Sequence, residues 1–162
     1  MIFKKLLIAV LFVCAFTSAK AQLSVGGGVS FPIDLGELGL LARGTYDFDE
    51  TWRGAATFTY YLDGLEGITI WSLDFDANYS FTTSGSIKPY VLAGLSLLNA
   101  GISLDLGPFG TVSESDTEFG VSLGGGAIFP AGNVNFFGEG RLRTAAATDF
   151  AITGGVLFPL GN

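Results

Sequence analysis

The sequence contains no histidine, a single cysteine, one methionine and five prolines among its 162 residues. Without histidine there is no Ser–His or Cys–His catalytic pair and no His-ligated metal site. Charge is also scarce: 14% of residues are Asp, Glu, Lys or Arg, where a soluble domain carries about 25%. The chain is 49% hydrophobic. Even so, outside the first residues it has no run of about 18 apolar residues of the kind that forms a membrane helix.

The apolar run that does exist lies at the start. Met1-Ile2-Phe3-Lys4-Lys5 precedes the apolar Leu6 to Phe16, and Ala19-Lys20-Ala21 supplies an A-x-A site. This reads as a secretory signal peptide over 1–21, cleaved to leave a mature domain of 22–162. A retained anchor is a poorer fit because the run is short. Lipoprotein processing at Cys14 fits poorly because bulky Val13 precedes it. Cleavage after Ala21 removes the only cysteine, so no disulfide is expected. It also removes Lys4, Lys5 and Lys20. Five basic residues then face fifteen acidic ones, for a net charge of −10. That balance excludes nucleic acid as a partner, since nucleic-acid binding needs basic patches.

What the chain has in quantity is glycine and phenylalanine, 24 and 15 residues. Ile70 to Phe81 shows how they are used. Trp71, Leu73, Phe75, Ala77, Tyr79 and Phe81 alternate with Ser72, Asp74, Asp76, Asn78 and Ser80. A period of two places apolar rings on one face of a strand and carboxylates on the other. The pattern recurs, and the periodicity predicts eight strands near 23–32, 40–49, 52–62, 69–81, 88–105, 112–129, 134–144 and 149–158. Leu97-Leu98 and Ala100-Gly101-Ile102 blur the alternation in the fifth, which suggests a bulge. Tight connections (Asp49-Glu50-Thr51, Thr82 to Ser86, Ala131-Gly132-Asn133) alternate with mostly longer ones (Pro32 to Gly39, Asp63 to Gly67, and the span around Gly107-Pro108-Phe109-Gly110). The last of these is expected to extend its two strands beyond the main sheet.

Short turns at one end and longer loops at the other are the habit of membrane barrels. The reading is therefore all-β: an eight-stranded antiparallel up-and-down transmembrane β-barrel, with the bulky Phe, Tyr and Trp set facing lipid and the glycine-rich polar face inside. A soluble lipocalin-like barrel inverts this, and would need more surface Lys and Glu than this chain offers.

Three near-copies of one string mark strand ends: GGVSFP at Gly27–Pro32, GGAIFP at Gly125–Pro130 and GGVLFP at Gly154–Pro159. Phe31, Phe129 and Phe158 fall on the apolar face and are expected in an aromatic girdle. The prolines follow where pairing stops. Gly28, Gly126 and Gly155 face a narrow lumen, while Gly27, Gly125 and Gly154 face out.

The inner face receives Arg43, Arg53, Arg141, Arg143, Asp47, Asp74, Asp76 and Glu139. A lumenal charge network is expected of Arg43, Asp47, Asp74, Asp76, Glu139, Arg141 and Arg143, centred on Asp74, Asp76, Glu139 and Arg141. Chain direction puts Arg43 and Arg143 a little nearer the outer end. A balanced set points to a plugged core, its pairs either satisfying buried charge or forming a gate. No catalytic residue, cofactor or resident metal is implied. Asp34, Glu37, Asp63, Glu66, Asp105, Glu114, Asp116, Glu118 and Asp149 form an acidic rim in or beside the longer connections. The rim reads as solvated loop charge, or as a place for divalent cations bridging to lipopolysaccharide phosphates.

Ile87-Lys88-Pro89-Tyr90-Val91-Leu92-Ala93-Gly94 is similar to the "kPYvxaG" strand opening of small outer-membrane β-barrel proteins, and Phe136-Phe137-Gly138-Glu139-Gly140-Arg141 to their "fgE-R" strand. The whole mature chain resembles this OmpA/OmpX-like kind. Phe150, Ile152, Gly154, Val156 and Phe158 match the final-strand signal that the resemblance implies for the assembly machinery, although the chain runs four residues further, to Asn162. The resemblance implies a bacterial outer-membrane location, a monomer contacting outer-membrane lipid and lipopolysaccharide, and a structural or surface-interaction role rather than an enzymatic one. Alternatives are a narrow channel or small hydrophobic-ligand conduit and, less favoured, a soluble lipocalin-like ligand-binding barrel.

Overall fold

The computed structural model describes residues 22–62, 67–81, 85–145 and 147–161. The signal-peptide segment, the loop residues 63–66 and the turn residues 82–84 lie outside the described residues. Eight strands run in sequence order: β1 (Gln22–Pro32), β2 (Gly39–Asp47), β3 (Trp52–Tyr61), β4 (Ile68–Ser80), β5 (Lys88–Asp105), β6 (Thr111–Ala131), β7 (Val134–Arg143) and β8 (Asp149–Pro159). Each pairs antiparallel with the next, and β1 pairs with β8, so the sheet closes on itself. This is the up-and-down eight-stranded barrel that the alternation predicts, with strand limits within two residues of the expected ones.

Side-chain direction follows the pleat. Phe75 is 55% exposed and Phe136 51%, while Asp74 and Arg141 are each 2% exposed. The large apolar side chains, Phe31, Phe58, Tyr79, Leu95, Phe150 and Phe158 among them, stand on the outside of the cylinder. That is the reverse of a lipocalin-like barrel. Rings also pair along the wall. Trp52 and Tyr79 meet edge to face at 5.2 Å, and Tyr79 and Phe81 at 5.5 Å. These are geometries that ring quadrupoles favour.

Not every bulky side chain faces out. Leu41, Tyr90, Leu92, Ile128, Phe137 and Leu157 are buried together inside. The inward glycines explain how they fit. Leu41 lies in register with Gly28, Gly28 with Gly155, and Gly155 with Phe137. A Cβ at Gly155 would lie 2.9 Å from the Phe137 ring, and one at Gly126 would lie 2.8 Å from the Tyr90 hydroxyl. Real Cβ atoms do not come that close, so these glycines are the recesses that admit two inner rings.

The bulge expected near 97–102 is absent. Both ladders of β5 run without interruption, Ile68↔Ile102 to Ser80↔Tyr90 on one side and Lys88↔Ile128 to Asp105↔Thr111 on the other. The blurred alternation has another cause. β7 begins to pair with β6 only at Ser122, and β4 leaves β5 at Ile102. Beyond these points the β5–β6 hairpin projects from the barrel, as its length suggests. Its faces exchange polarity once β6 has lost β7, while β4 still flanks β5 as far as Ile102. Outward pairs Leu95↔Val121 and Leu97↔Phe119 give way to Asn99↔Thr117, Gly101↔Ser115 and Ser103↔Ser113. The face continuous with the lumen instead carries Leu98, Ile102 and Leu104 beside Glu118, Glu114 and Val112.

Turn chemistry fits the ends. Gly132, with φ 66°, opens the two-residue β6–β7 turn in the left-handed conformation that tight hairpins need there. At the β2–β3 turn the Asp49 carboxylate accepts the backbone N–H groups of Thr51 (2.7 Å) and Trp52 (2.8 Å).

Candidate functional site

The chemistry of the molecule is concentrated inside it, at mid-barrel. β7 supplies Glu139, Arg141 and Arg143, two residues apart and therefore on one face; β4 supplies Asp74 and Asp76, and β2 supplies Arg43. All six are buried. Glu139 is the hub. Arg43 grips it with two parallel bonds, Nη1 to Oε2 and Nη2 to Oε1, both 2.9 Å. This is the bidentate fork geometry that a guanidinium offers a carboxylate. The Tyr90 hydroxyl donates to Glu139 Oε2 at 2.8 Å, and Arg141 Nε donates to Oε1 at 2.9 Å, with a second, shorter bond from Arg141 Nη2.

Arg141 then links two strands across the lumen. Its Nη2 donates to Asp76 Oδ2 at 2.8 Å, and its Nη1 lies 3.6 Å from Asp74 Oδ1. Asp76 also accepts from Ser122 (2.9 Å), and Asp74 from Ser96 and from Ser72 (3.4 Å). Arg43 turns its Nε to Thr57 (2.8 Å), and its guanidinium carbon lies 4.3 Å from the centre of the Phe137 ring. Arg143 completes the set from the loop end. It donates to Ser72 (3.0 Å) and to the Tyr61 hydroxyl (2.8 Å), with Asp74 at 3.7 Å. Three guanidinium groups thus share the interior with three carboxylates. Burying six ions costs several kcal/mol each unless each finds partners. Here hydroxyls and opposite charges supply them.

Asp47, expected in the network, stands outside it. It pairs with Arg53, Nη2 to Oδ2 at 2.9 Å, near the turn end of the barrel where both are half-buried. The reason is register: Asp47 and Arg53 are cross-strand partners at the last rung of the β2–β3 ladder, four residues beyond Arg43. Arg43, four residues further along β2 towards the loop end, reaches Glu139. Phe31, Phe129 and Phe158 stand exposed on the outer wall, Phe31 near the loop end of β1 and the other two near the turn ends of β6 and β8.

The hydroxyl partners Tyr61, Tyr90, Thr57, Ser72, Ser96 and Ser122 escaped the sequence reading, which looked for charge alone. Their signal was present: each occupies an inward position of its strand, and Tyr90 is a bulky ring out of phase with the outward set.

Openings flank the cluster. A cavity of about 280 Å³ at the loop end is lined by Pro32, Leu35, Tyr61, Leu98, Arg143 and Ala145 with Asp34 and Asp149. A larger polar recess of about 780 Å³ at the turn end includes Asp47, Arg53 and Lys88. The rim acids do not gather: among the described residues no three His, Cys, Asp or Glu side chains are grouped so as to hold a metal ion. Asp63 and Glu66 lie outside the described residues.

No protein-family profile matches the chain, and no curated protein matches it. Solved structures do. The N-terminal β-barrel domain of OprF from Pseudomonas aeruginosa superposes with a TM-score of 0.68 at 17% identity, over 86% of this chain and 97% of that one. Neisserial surface protein A gives 0.61 at 21% identity, over 85% and 94%. Ail, the attachment invasion locus protein of Yersinia pestis, gives 0.61 at 18% identity, over 86% and 96%. Identities this low carry the fold and nothing finer. In wall, closure and strand order, the chain has the fold of the small eight-stranded outer-membrane β-barrel proteins.

Proposed function

We propose that the chain is an integral protein of the bacterial outer membrane, serving a structural or surface-interaction role through its loop end, with a lumen plugged by the Glu139-centred cluster. One observation carries this reading: the barrel is apolar and ring-bearing outside while its charges are buried inside. In water that arrangement exposes a greasy belt. In a bilayer it places rings against hydrocarbon and hides the strand amides of the barrel wall in a closed ladder. On β5 the outward apolar stretch from Pro89 to Leu97 is nine residues long, the length of about one tilted transmembrane strand. The neighbours OprF, NspA and Ail support an outer-membrane barrel, and Ail is named for attachment and invasion.

In this reading the barrel is a monomer surrounded by outer-membrane lipid and lipopolysaccharide, and its last strand is the segment the assembly machinery reads. No catalytic step is assigned to it. Cell fractionation with surface proteolysis tests the location. The expected result is extraction only by detergent, a heat-modifiable band on gels, and protease cutting confined to the loop end. Recovery in a soluble fraction overturns the proposal.

A second reading, a narrow channel or conduit for small hydrophobic ligands, is favoured by the two recesses that approach the cluster from opposite ends. Planar-bilayer recording separates the two. A plugged barrel gives no resolvable single-channel current, and steady discrete openings establish the channel.

A further inference from the structure

We propose that the loop-end cavity is a binding site for a small organic cation: an ammonium group on a compact apolar body. The cavity has a volume of about 280 Å³, near the lower end of the roughly 300–1,000 Å³ range of ligand pockets. Its walls are Pro32, Leu35, Leu98 and Ala145, and Tyr61 and Arg143 close it on the lumen side. Pro32, Tyr61 and Ala145 are buried there, on strand ends or directly after them, so the pocket is built on the barrel rim rather than on loop alone.

The charge at its edge decides the ligand. Asp34 and Asp149 line the cavity side by side, the Asp34 backbone N–H donating to the Asp149 carboxylate at 3.4 Å. Neither carboxylate has a Lys or Arg within ion-pair distance among the described residues. Arg143 sits opposite Asp149 in the β7–β8 ladder, but its guanidinium is committed to Ser72 and Tyr61, with Asp74 behind them. Arg143 also lies in the field of Asp149 from the floor of the cavity, but it is counted in the buried cluster, which balances three against three. The cavity edge therefore keeps a net negative charge that the neighbouring Asp34 and Asp149 share. An anion entering it would meet both. A neutral molecule would leave both unpaired. An ammonium group at the edge pairs with them while its apolar body displaces water from the walls, and desolvation by those walls strengthens the pairing.

Binding of this kind depends on the barrel rim and not on the compartment, so it stands or falls apart from the outer-membrane proposal. The test uses the refolded mature chain in detergent micelles, titrated with hexylammonium, hexanoate and hexanol, each probe carrying a chain of six carbons. Methyl NMR signals of Leu98, Ala145 and Ala147 are followed. Hexylammonium is expected to shift all three saturably. Asp149→Asn is expected to weaken binding tenfold or more, and Ala147→Trp, which fills the cavity mouth, to abolish the shifts. A heat-modifiable band confirms folding of each variant. If Asp149→Asn does not fold, Asp34→Asn, in an exposed loop, carries the same comparison. Hexanoate or hexanol binding as tightly as hexylammonium overturns the proposal. So does a hexylammonium titration that neither Asp149→Asn nor Asp34→Asn nor Ala147→Trp changes, since that is partition into the micelle.

Discussion

Among single residues, Arg141 has the most to lose. It touches Asp74, Asp76 and Glu139 at once, and its removal leaves three buried carboxylates facing only Arg43 and Arg143. Stripping one partner from a buried ion pair costs about 3–5 kcal/mol. Arg141→Ala is therefore expected to lower the temperature of the gel-shift unfolding transition clearly. A refolded variant as heat-stable as the parent removes the network from the account of stability. Gly126 tests the recesses. Gly126→Ala puts a methyl against Tyr90 and the neighbouring backbone and is expected to cost about 1–3 kcal/mol by overpacking, measured by urea unfolding in lipid vesicles. Gly138→Ala is the control, because a Cβ there meets nothing within 4 Å. Asp49 gives the pH prediction. The N–H groups of Trp52 and, less strongly, Thr51 hold its carboxyl below the usual carboxylate range. A lowered value in the folded state means that the turn contributes stability above the unfolded carboxyl's titration and loses it as pH falls through the folded one. The amide shifts of Thr51 and Trp52 are expected to titrate together, with a midpoint below that of an ordinary aspartate. A midpoint at the ordinary value removes the cap.

At the scale of the element, the β5–β6 hairpin shows what a sequence discloses and what it conceals. Alternation located both strands, because inside and outside of a closed wall differ in polarity at every step. Near Leu97-Leu98 it broke down, and a bulge was a fair reading of two successive apolar residues. The cause lies in tertiary context: above Ser122 no β7 rung flanks β6, so the wall is no longer closed there and the polar and apolar faces trade places. No local rule reveals that change of surroundings. The charged half of the central cluster was legible for the same reason as the strands, since a charge at an inward position of an apolar-faced barrel has nowhere else to go. The hydroxyl half was not, because Ser and Thr are common in strands whatever they touch. If the hairpin tip is an addition to a complete barrel, replacing Ser103–Ser113 by an Asn-Gly turn between the cross-strand partners Ile102 and Glu114 is expected to leave the heat-modifiable barrel intact. The change in stability should be no more than about 1.5 kcal/mol, the scale of a roughly five-fold change in loop length. Loss of the folded band shows the tip to be part of the fold.

For the molecule as a whole, two layers fill the interior: inner rings and aliphatic groups seated over glycines, and a balanced set of ions bound to hydroxyls. The exterior needs only to be apolar. Twofold alternation therefore reports the architecture well, while the packing of the lumen depends on which inward positions are empty, a fact that belongs to pairs of strands. Closure adds one more consequence. The ladder between β1 and β8 joins residues more than a hundred positions apart, Ser24 with Pro159 and Pro32 with Ala151, so it cannot form before β8 has been made. A copy that stops short of Asp149 keeps seven strands and two bare margins, one on β1 and one on β7. Each is a row of amides with no mate, free to recruit the margin of another broken copy. Damage to the tail of this protein should show itself less as a weaker barrel than as aggregates joined strand to strand.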